Sequence, residues 1–214
     1  MFGIAEAFEN LTHLEHLRIR TGGSAGFPSA NPATLHTFDF ESNLPLEDEV
    51  LCYPHLETLR LKIPLDNNSM LNSILGDGTI MPDGQTPSRL KALTLNVTGS
   101  SGIRWQGDTP LLSHPRLSAL EELELLGSTA MDISDTAAAE QVVALKHLRR
   151  LHLCSSPITG VGIKKLVVGL KGVLRYVTLT ACEDVGHDAV EWAARQGVEV
   201  VVLSHVNGTK IVRR

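Results

Sequence analysis

The chain is poor in aromatic residues, which make up only 4% of its 214 residues against 43% hydrophobic in total. A large aromatic-centred core is excluded, and thin layers of Leu, Val and Ile are favoured. No run of roughly 18 apolar residues occurs, so no membrane-spanning helix is expected. The first residues, MFGIAEAFENLTHLEHL, lack a basic start, a continuous apolar stretch and a small-residue cleavage site, so they do not form a secretory signal. The three cysteines, Cys52, Cys154 and Cys182, are odd in number and far apart, as in a reduced intracellular chain, cytoplasmic or nuclear. Four Asn-x-Ser/Thr sequons, at Asn10, Asn67, Asn96 and Asn207, are the one feature that points the other way. Net charge is −5, with no basic excess to hold a phosphate backbone, so nucleic acid is not an expected partner. Gly22-Gly23-Ser24-Ala25-Gly26 lacks the Lys-Ser/Thr of a phosphate-binding loop, and no Gly-x-Ser-x-Gly nucleophile turn exists.

What is there is one phrase written eight times. Leu14-x-x-Leu17-x-Ile19 returns as Leu35-x-x-Phe38-x-Phe40, Leu56-x-x-Leu59-x-Leu61 and Leu90-x-x-Leu93-x-Leu95. It continues as Leu120-x-x-Leu123-x-Leu125, Leu148-x-x-Leu151-x-Leu153, Leu174-x-x-Val177-x-Leu179 and Val198-x-x-Val201-x-Leu203. The steps between copies are 21, 21, 34, 30, 28, 26 and 24 residues, the period of a leucine-rich repeat array. The last two apolar residues of each phrase are two apart, the strand period, so each copy supplies a short parallel strand with an apolar inner side. The remainder of each repeat returns the chain through a helix or loop. The expected fold is therefore an α/β solenoid of about eight repeats over residues 1–214. Its parallel sheet lines a concave face, with helices and loops on the convex one. Residues 1–10, with Phe2, Ile4, Ala5 and Phe8, read as a partial N-terminal cap. Residues 204–214 read as a C-terminal cap or tail with a turn signal at Asn207-Gly208.

The return segments differ along the chain. Ser134 and Asp135 offer an N-cap ahead of TAAAEQVVALKHL, which is rich in helix formers. Ile163, Leu166, Val167 and Leu170 follow helical spacing, as do Ala189, Val190, Trp192 and Ala193, with Gly197 at the expected C-cap. Residues 21–34, 64–89 and 99–115 read as loops, with a helical turn around Met70 to Leu75 and Trp105 as an anchor.

LRRLHLCSSPITGVGIKKLVVGL and LRYVTLTACEDVGHDAVEWAARQG resemble the cysteine-containing leucine-rich repeats of eukaryotic F-box proteins. Cys182 stands at the cysteine position, with Ser156 and Ser128 there in the two repeats before. Ile158-Thr159 and Ile133-Ser134-Asp135 match the turn into the helix. The resemblance implies that the array recruits the substrate of a ubiquitin ligase. Leu44 to Leu51 looks like the opening of an F-box, but Tyr53-Pro54-His55-Leu56 starts the next repeat and leaves no room for its helices. An F-box is then expected upstream of Met1. The alternatives are a free-standing binding or inhibitor module and a GTPase-activating repeat protein. The last needs an Arg or Asn reaching a nucleotide, for which only Arg18 and Arg60 stand out.

The residues beside the inner apolar positions point outward and form two columns. One reads Arg18, Asp39, Arg60, Thr94, Glu124, His152, Thr178, Val202; the other Arg20, Glu41, Lys62, Asn96, Leu126, Cys154, Thr180, Ser204. The charges of the first three repeats alternate across neighbouring strands, as either a salt-bridge ladder or a docking patch with a net +2. Tyr176 among small polar residues reads as a binding anchor. A protein partner is expected on this face, the chain being a monomer or a subunit of a hetero-complex. Glu122 and Glu124 face Arg150 and His152 as an ion-pair cluster. His147, His152 and Cys154 lack a fourth ligand for a structural zinc, and Cys182 reads as a buried thiol. No catalytic, metal or cofactor site is expected.

Overall fold

The structure, a computed structural model, describes residues 13–22, 34–43, 55–64, 75, 90–97, 112, 114–127, 133–206 and 209–213. Nine strands form one sheet in chain order: β1 (His16–Thr21), β2 (Thr37–Ser42), β3 (Thr58–Ile63), β4 (Ala92–Val97), β5 (Glu122–Gly127), β6 (Arg150–Cys154), β7 (Tyr176–Thr180), β8 (Glu199–Val206) and β9 (Thr209–Arg213). The first eight run parallel, and β9 returns antiparallel on β8. Three α-helices lie between the later strands: α1 (Asp135–Glu140), α2 (Gly160–Gly169) and α3 (His187–Arg195).

The strand order follows from the registry of the repeated phrase. Leu17, Phe38, Leu59, Leu93, Leu123, Leu151 and Val177 align as one row across seven strands. Ile19, Phe40, Leu61, Leu95, Leu125, Leu153 and Leu179 align as the next. All but Ile19, on the edge strand, are buried, and so are the leading residues Leu35, Leu56, Leu90, Leu120, Leu148 and Leu174. A fully buried side chain of this kind contributes about 1.5–3 kcal/mol, so three such rows account for a sheet whose other face is polar.

The strands are also stitched together ahead of their first residue. Consecutive amides share one carbonyl of the preceding repeat. His36 and Thr37 donate to Glu15, Glu57 and Thr58 to His36, Lys91 and Ala92 to Glu57, and so on to Arg175 and Tyr176 on Arg149. β5, β6 and β7 exit through a positive-φ residue at one fixed position, Gly127, Ser155 and Ala181 in turn.

The helices form where expected. Ser134 caps α1 by accepting from the Ala137 amide, and Thr159 caps α2 by accepting from Val161. The α1 segment is shorter than its composition allows, giving way at Gln141 to a 3₁₀ turn, Val142–Ala144. Ile163, Leu166, Val167 and Leu170 are buried, as are Ala189, Val190 and Ala193, while Trp192 is half-buried. Gly197 adopts φ 81°, with its amide donating to Ala194 and that of Val198 to Ala193. That pair of bonds is a Schellman stop, which an L-residue fits poorly.

The same stop corrects the register expected for the last repeat. Val200 and Val202, not Val201 and Leu203, are buried and pair with Val177 and Leu179. In earlier repeats two amides donate to one carbonyl at the strand entry. Here the Val198 amide is used to close α3, and only Glu199 donates, to Arg175. The entry is one residue shorter, and a one-residue slip reverses every side chain of the strand. The segment expected as a tail from residue 204 continues instead as the end of β8 and then β9, with Val206 paired to Thr209. The turn at residues 207–208 lies outside the described residues. So do the cap at residues 1–10, Leu44 to Leu51, Cys52, Trp105, the Asn10 and Asn67 sequons, and all but Leu75 of the expected helical turn.

Candidate functional site

Strand alternation sends every second side chain away from the core, so the face opposite the helices is an array of outward columns. Arg18, Asp39, Arg60 and Thr94 are neighbours in register, and so are Arg20, Glu41, Lys62 and Asn96. Opposite charges meet as the sequence arranges them. Glu41 is held between Arg20, at 3.1 Å, and Lys62, while Asp39 pairs with Arg60 at 3.4 Å. The hydrogen bond from Lys62 holds the Glu41 carboxyl below the usual carboxylate range, opposed by partial desolvation and reinforced by the nearby charges of Lys62, Arg20 and Arg18. Arg18 makes no ion pair among the described residues. Arg18, Asp39, Glu41, Arg60 and Lys62 line a depression of about 150 Å³ that reaches Thr94, Asn96 and Leu126.

A second depression, also of about 150 Å³, lies on the same face over β5, β6 and β7. Beside Glu124, His152 and Thr178 of the first column, it is lined by a column two positions earlier, whose Glu122 and Arg150 the sequence pairs as ions and whose Tyr176 it reads as an anchor. Glu122, Arg150 and Tyr176 are in register. The Arg150 guanidinium bonds Glu122 at 3.0 Å and lies 5.6 Å from the centre of the Tyr176 ring. Tyr176 is 47% exposed, so its ring is open to solvent beside that guanidinium.

Glu124 and His152 are neighbours in register, yet they do not bond each other. Glu124 accepts from the Thr94 hydroxyl at 2.9 Å, and His152 Nε2 lies 3.0 Å from the Thr180 hydroxyl. Burial lowers the His152 pKa below the ordinary value, against the pull of Glu124. Thr178 and Thr180 stand beside His152 and Cys154 on the next strand. The glutamate is turned away from the imidazole, so these groups are not joined as an acid–base relay.

The slipped register changes what β8 presents. Val201 aligns with Thr178 and Leu203 with Thr180, where Val202 and Ser204 were expected. Val201 and Leu203 are partly exposed, whereas Val202 and Ser204 face inward. The open face therefore alternates charges at β1–β3, carries Glu122, Glu124 and Arg150 among polar groups at β4–β6, and at β7–β8 sets Tyr176, Val201 and Leu203 beside Thr178, Thr180 and Glu199.

No family model matches the chain, and no curated protein matches it. The chemistry of the face stands on its geometry. Among the described residues no group of three or more His, Cys, Asp or Glu is gathered around a common point. His147 is exposed in the turn before β6, apart from the outward column that holds His152 and Cys154. Cys182 is buried, its Sγ 3.8 Å from the Leu153 carbonyl and 3.6 Å from that of Thr180, and burial pushes the thiol pKa up. Ser156, at the same position one repeat earlier, is also buried and donates to a different carbonyl of the preceding repeat, that of Ile133, at 2.8 Å. Among the described residues no helix is long and apolar enough to cross a membrane.

Proposed function

We propose that the chain is a leucine-rich-repeat solenoid that binds another protein on its open face. The carrying observation is that eight parallel strands, in chain order, bury one apolar side and present on the other a broad, largely polar face with two depressions. Fold alone does not assign activity, so the reading rests on that face. An exposed Tyr and a clustered set of Arg side chains are of the kinds enriched at protein interfaces. The reading assigns the chain no catalytic step and no cofactor.

Within this reading, the resemblance of the last repeats to those of F-box proteins favours recruitment of a substrate to a ubiquitin ligase. The turn motif supports it: Ile158-Thr159 and Ile133-Ser134-Asp135 enter helices through side-chain caps, and Cys182 and Ser156, at matching positions, are both buried and bonded to backbone carbonyls of the preceding repeat. The test is quantitative mass spectrometry of complexes formed by the chain at native expression. Wild type is compared with a variant carrying Arg60→Glu and Tyr176→Ala. Proteins captured by wild type and lost from the variant are expected. A cullin adaptor among the complexes would assign the ubiquitin role, and its absence would leave a free-standing binding module. A protein set indifferent to both substitutions would sink the reading.

A further inference from the structure

The open face is asymmetric, and the asymmetry specifies a ligand. Over β1–β3 it carries four cations against two carboxylates, a local +2 on a chain whose net charge is −5. Both carboxylates are engaged in ion pairs, whereas Arg18 is not paired among the described residues. Thr94 and Asn96 continue the same depression with hydrogen-bonding groups. At the other end, Tyr176 offers an exposed ring, and Val201 and Leu203 add apolar surface that the slipped register of β8 turned outward. Between them Glu122 is balanced by Arg150, and Glu124 accepts from Thr94 with no ion pair among the described residues, so the cationic excess of the face lies over β1–β3.

We infer that the open face receives an extended segment of a partner protein, laid across the strands, with clustered Asp or Glu over β1–β3 and an apolar side chain over β7–β8. This rests on the protein-binding reading above and narrows it to one occupant. Charge complementarity selects the acidic end, and the apolar end follows from Tyr176, Val201 and Leu203. The spacing follows from the sheet. β2 and β7 are five strand intervals apart, about 24 Å at roughly 4.8 Å each. An extended chain covers that in about seven residues at ~3.3 Å per residue. The segment therefore carries its acidic cluster and its apolar residue about six to eight positions apart.

The experiment is selection of the full chain against a displayed library of random dodecapeptides, followed by titration of the best binder. Enrichment of paired acidic residues with an apolar residue about seven positions away is expected. Arg18→Ala breaks no ion pair of the sheet and should weaken that peptide about fivefold, the effect of losing one partly solvated charge contact. Tyr176→Ala should erase the preference for the apolar residue while the acidic preference persists. Enrichment without acidic clustering, binding indifferent to Arg18→Ala, or no enrichment at all would each overturn the inference. The reading beneath it is judged separately. Loss of partners from the Arg60→Glu, Tyr176→Ala variant with no acidic selection leaves a binding face for a folded epitope, whereas unchanged partners remove the face itself.

Discussion

The Asp135 carboxylate accepts both the backbone amide and the hydroxyl of Thr159, at 2.8 and 2.6 Å, and so ties the first turn of α1 to the N-cap of α2. Thr159 in turn caps its own helix at Val161. One carboxylate thus fixes the stacking of two repeats. Gly162 lies against the same carboxylate, and a Cβ there would collide with it and with Ile158. Asp135→Ala leaves two donors without their charged partner and should cost about 1–3 kcal/mol in urea unfolding. Gly162→Ala should also destabilise, despite alanine's higher helix propensity. A more stable Gly162→Ala protein would show that the α1–α2 contact is looser than the geometry states.

Leu151 and His152 are adjacent in sequence and face opposite sides of the sheet. Leu151 is 2% exposed in a middle strand, with Leu123 on one side and Val177 on the other. Leu151→Asp buries an unpaired charge. It should abolish the cooperative thermal transition, because each repeat is stabilised by its neighbours. His152→Asn changes only the outward side and should retain the transition. Circular dichroism melting of the two variants checks the inside–outside assignment at one residue's resolution.

Much of this architecture is legible in the sequence because the phrase is redundant. Seven copies share one spacing, so the row from Leu17 to Val177 and the charge pairs Arg60–Asp39 and Arg20–Glu41 follow from counting by two. The eighth copy misleads because Val198, Val200, Val201, Val202 and Leu203 are all apolar, and hydrophobicity alone fits either register. What decides is a hydrogen bond that composition does not encode, from the Val198 amide to Ala193. The antiparallel return of β9 was likewise unmarked, since a turn signal followed by a charged end reads equally well as a tail. The register makes a sharp distinction. Val200→Ala should cost about 1–3 kcal/mol as a buried truncation, somewhat below the range for Leu→Ala. Val201→Thr should stay within about 0.5 kcal/mol, as surface changes do. Guanidinium melts showing the reverse order would restore the register read from the apolar pattern.

Cys154 and Cys182 should differ in reactivity. Cys154 is half-buried on the open face beside His152, whereas Cys182 is buried with its thiol pKa raised by burial. Thiolate is the reactive form, so both access and ionisation protect Cys182. Under native conditions iodoacetamide should label Cys154 first. Labelling of Cys182 should follow the unfolding curve in urea. Peptide mapping by mass spectrometry separates the two sites, and early labelling of Cys182 would mean that the last repeats open locally.

His152 should give the protein a stability slope on the acid side of neutrality. Burial lowers its pKa in the folded chain, and the neighbouring Glu124 only partly opposes this. The unfolded chain therefore takes up the proton at a higher pH than the folded one. Between the two pKa values the unfolded state binds more protons, so stability falls as pH falls. The contribution is complete above the ordinary histidine value of about 6.5. It is lost progressively as pH drops through the lowered folded value. Urea unfolding at pH 7.5 and at pH 5.5 should show a smaller free energy at the lower pH. His152→Gln should flatten that difference, because a neutral amide can keep a hydrogen bond to Thr180 without a proton to gain. Replacing Glu124 by Gln removes the group that favours the charged imidazole, so it should steepen the acid-side loss. If Glu124→Gln instead made stability less sensitive to pH, the carboxylate and not the burial of His152 would control the titration.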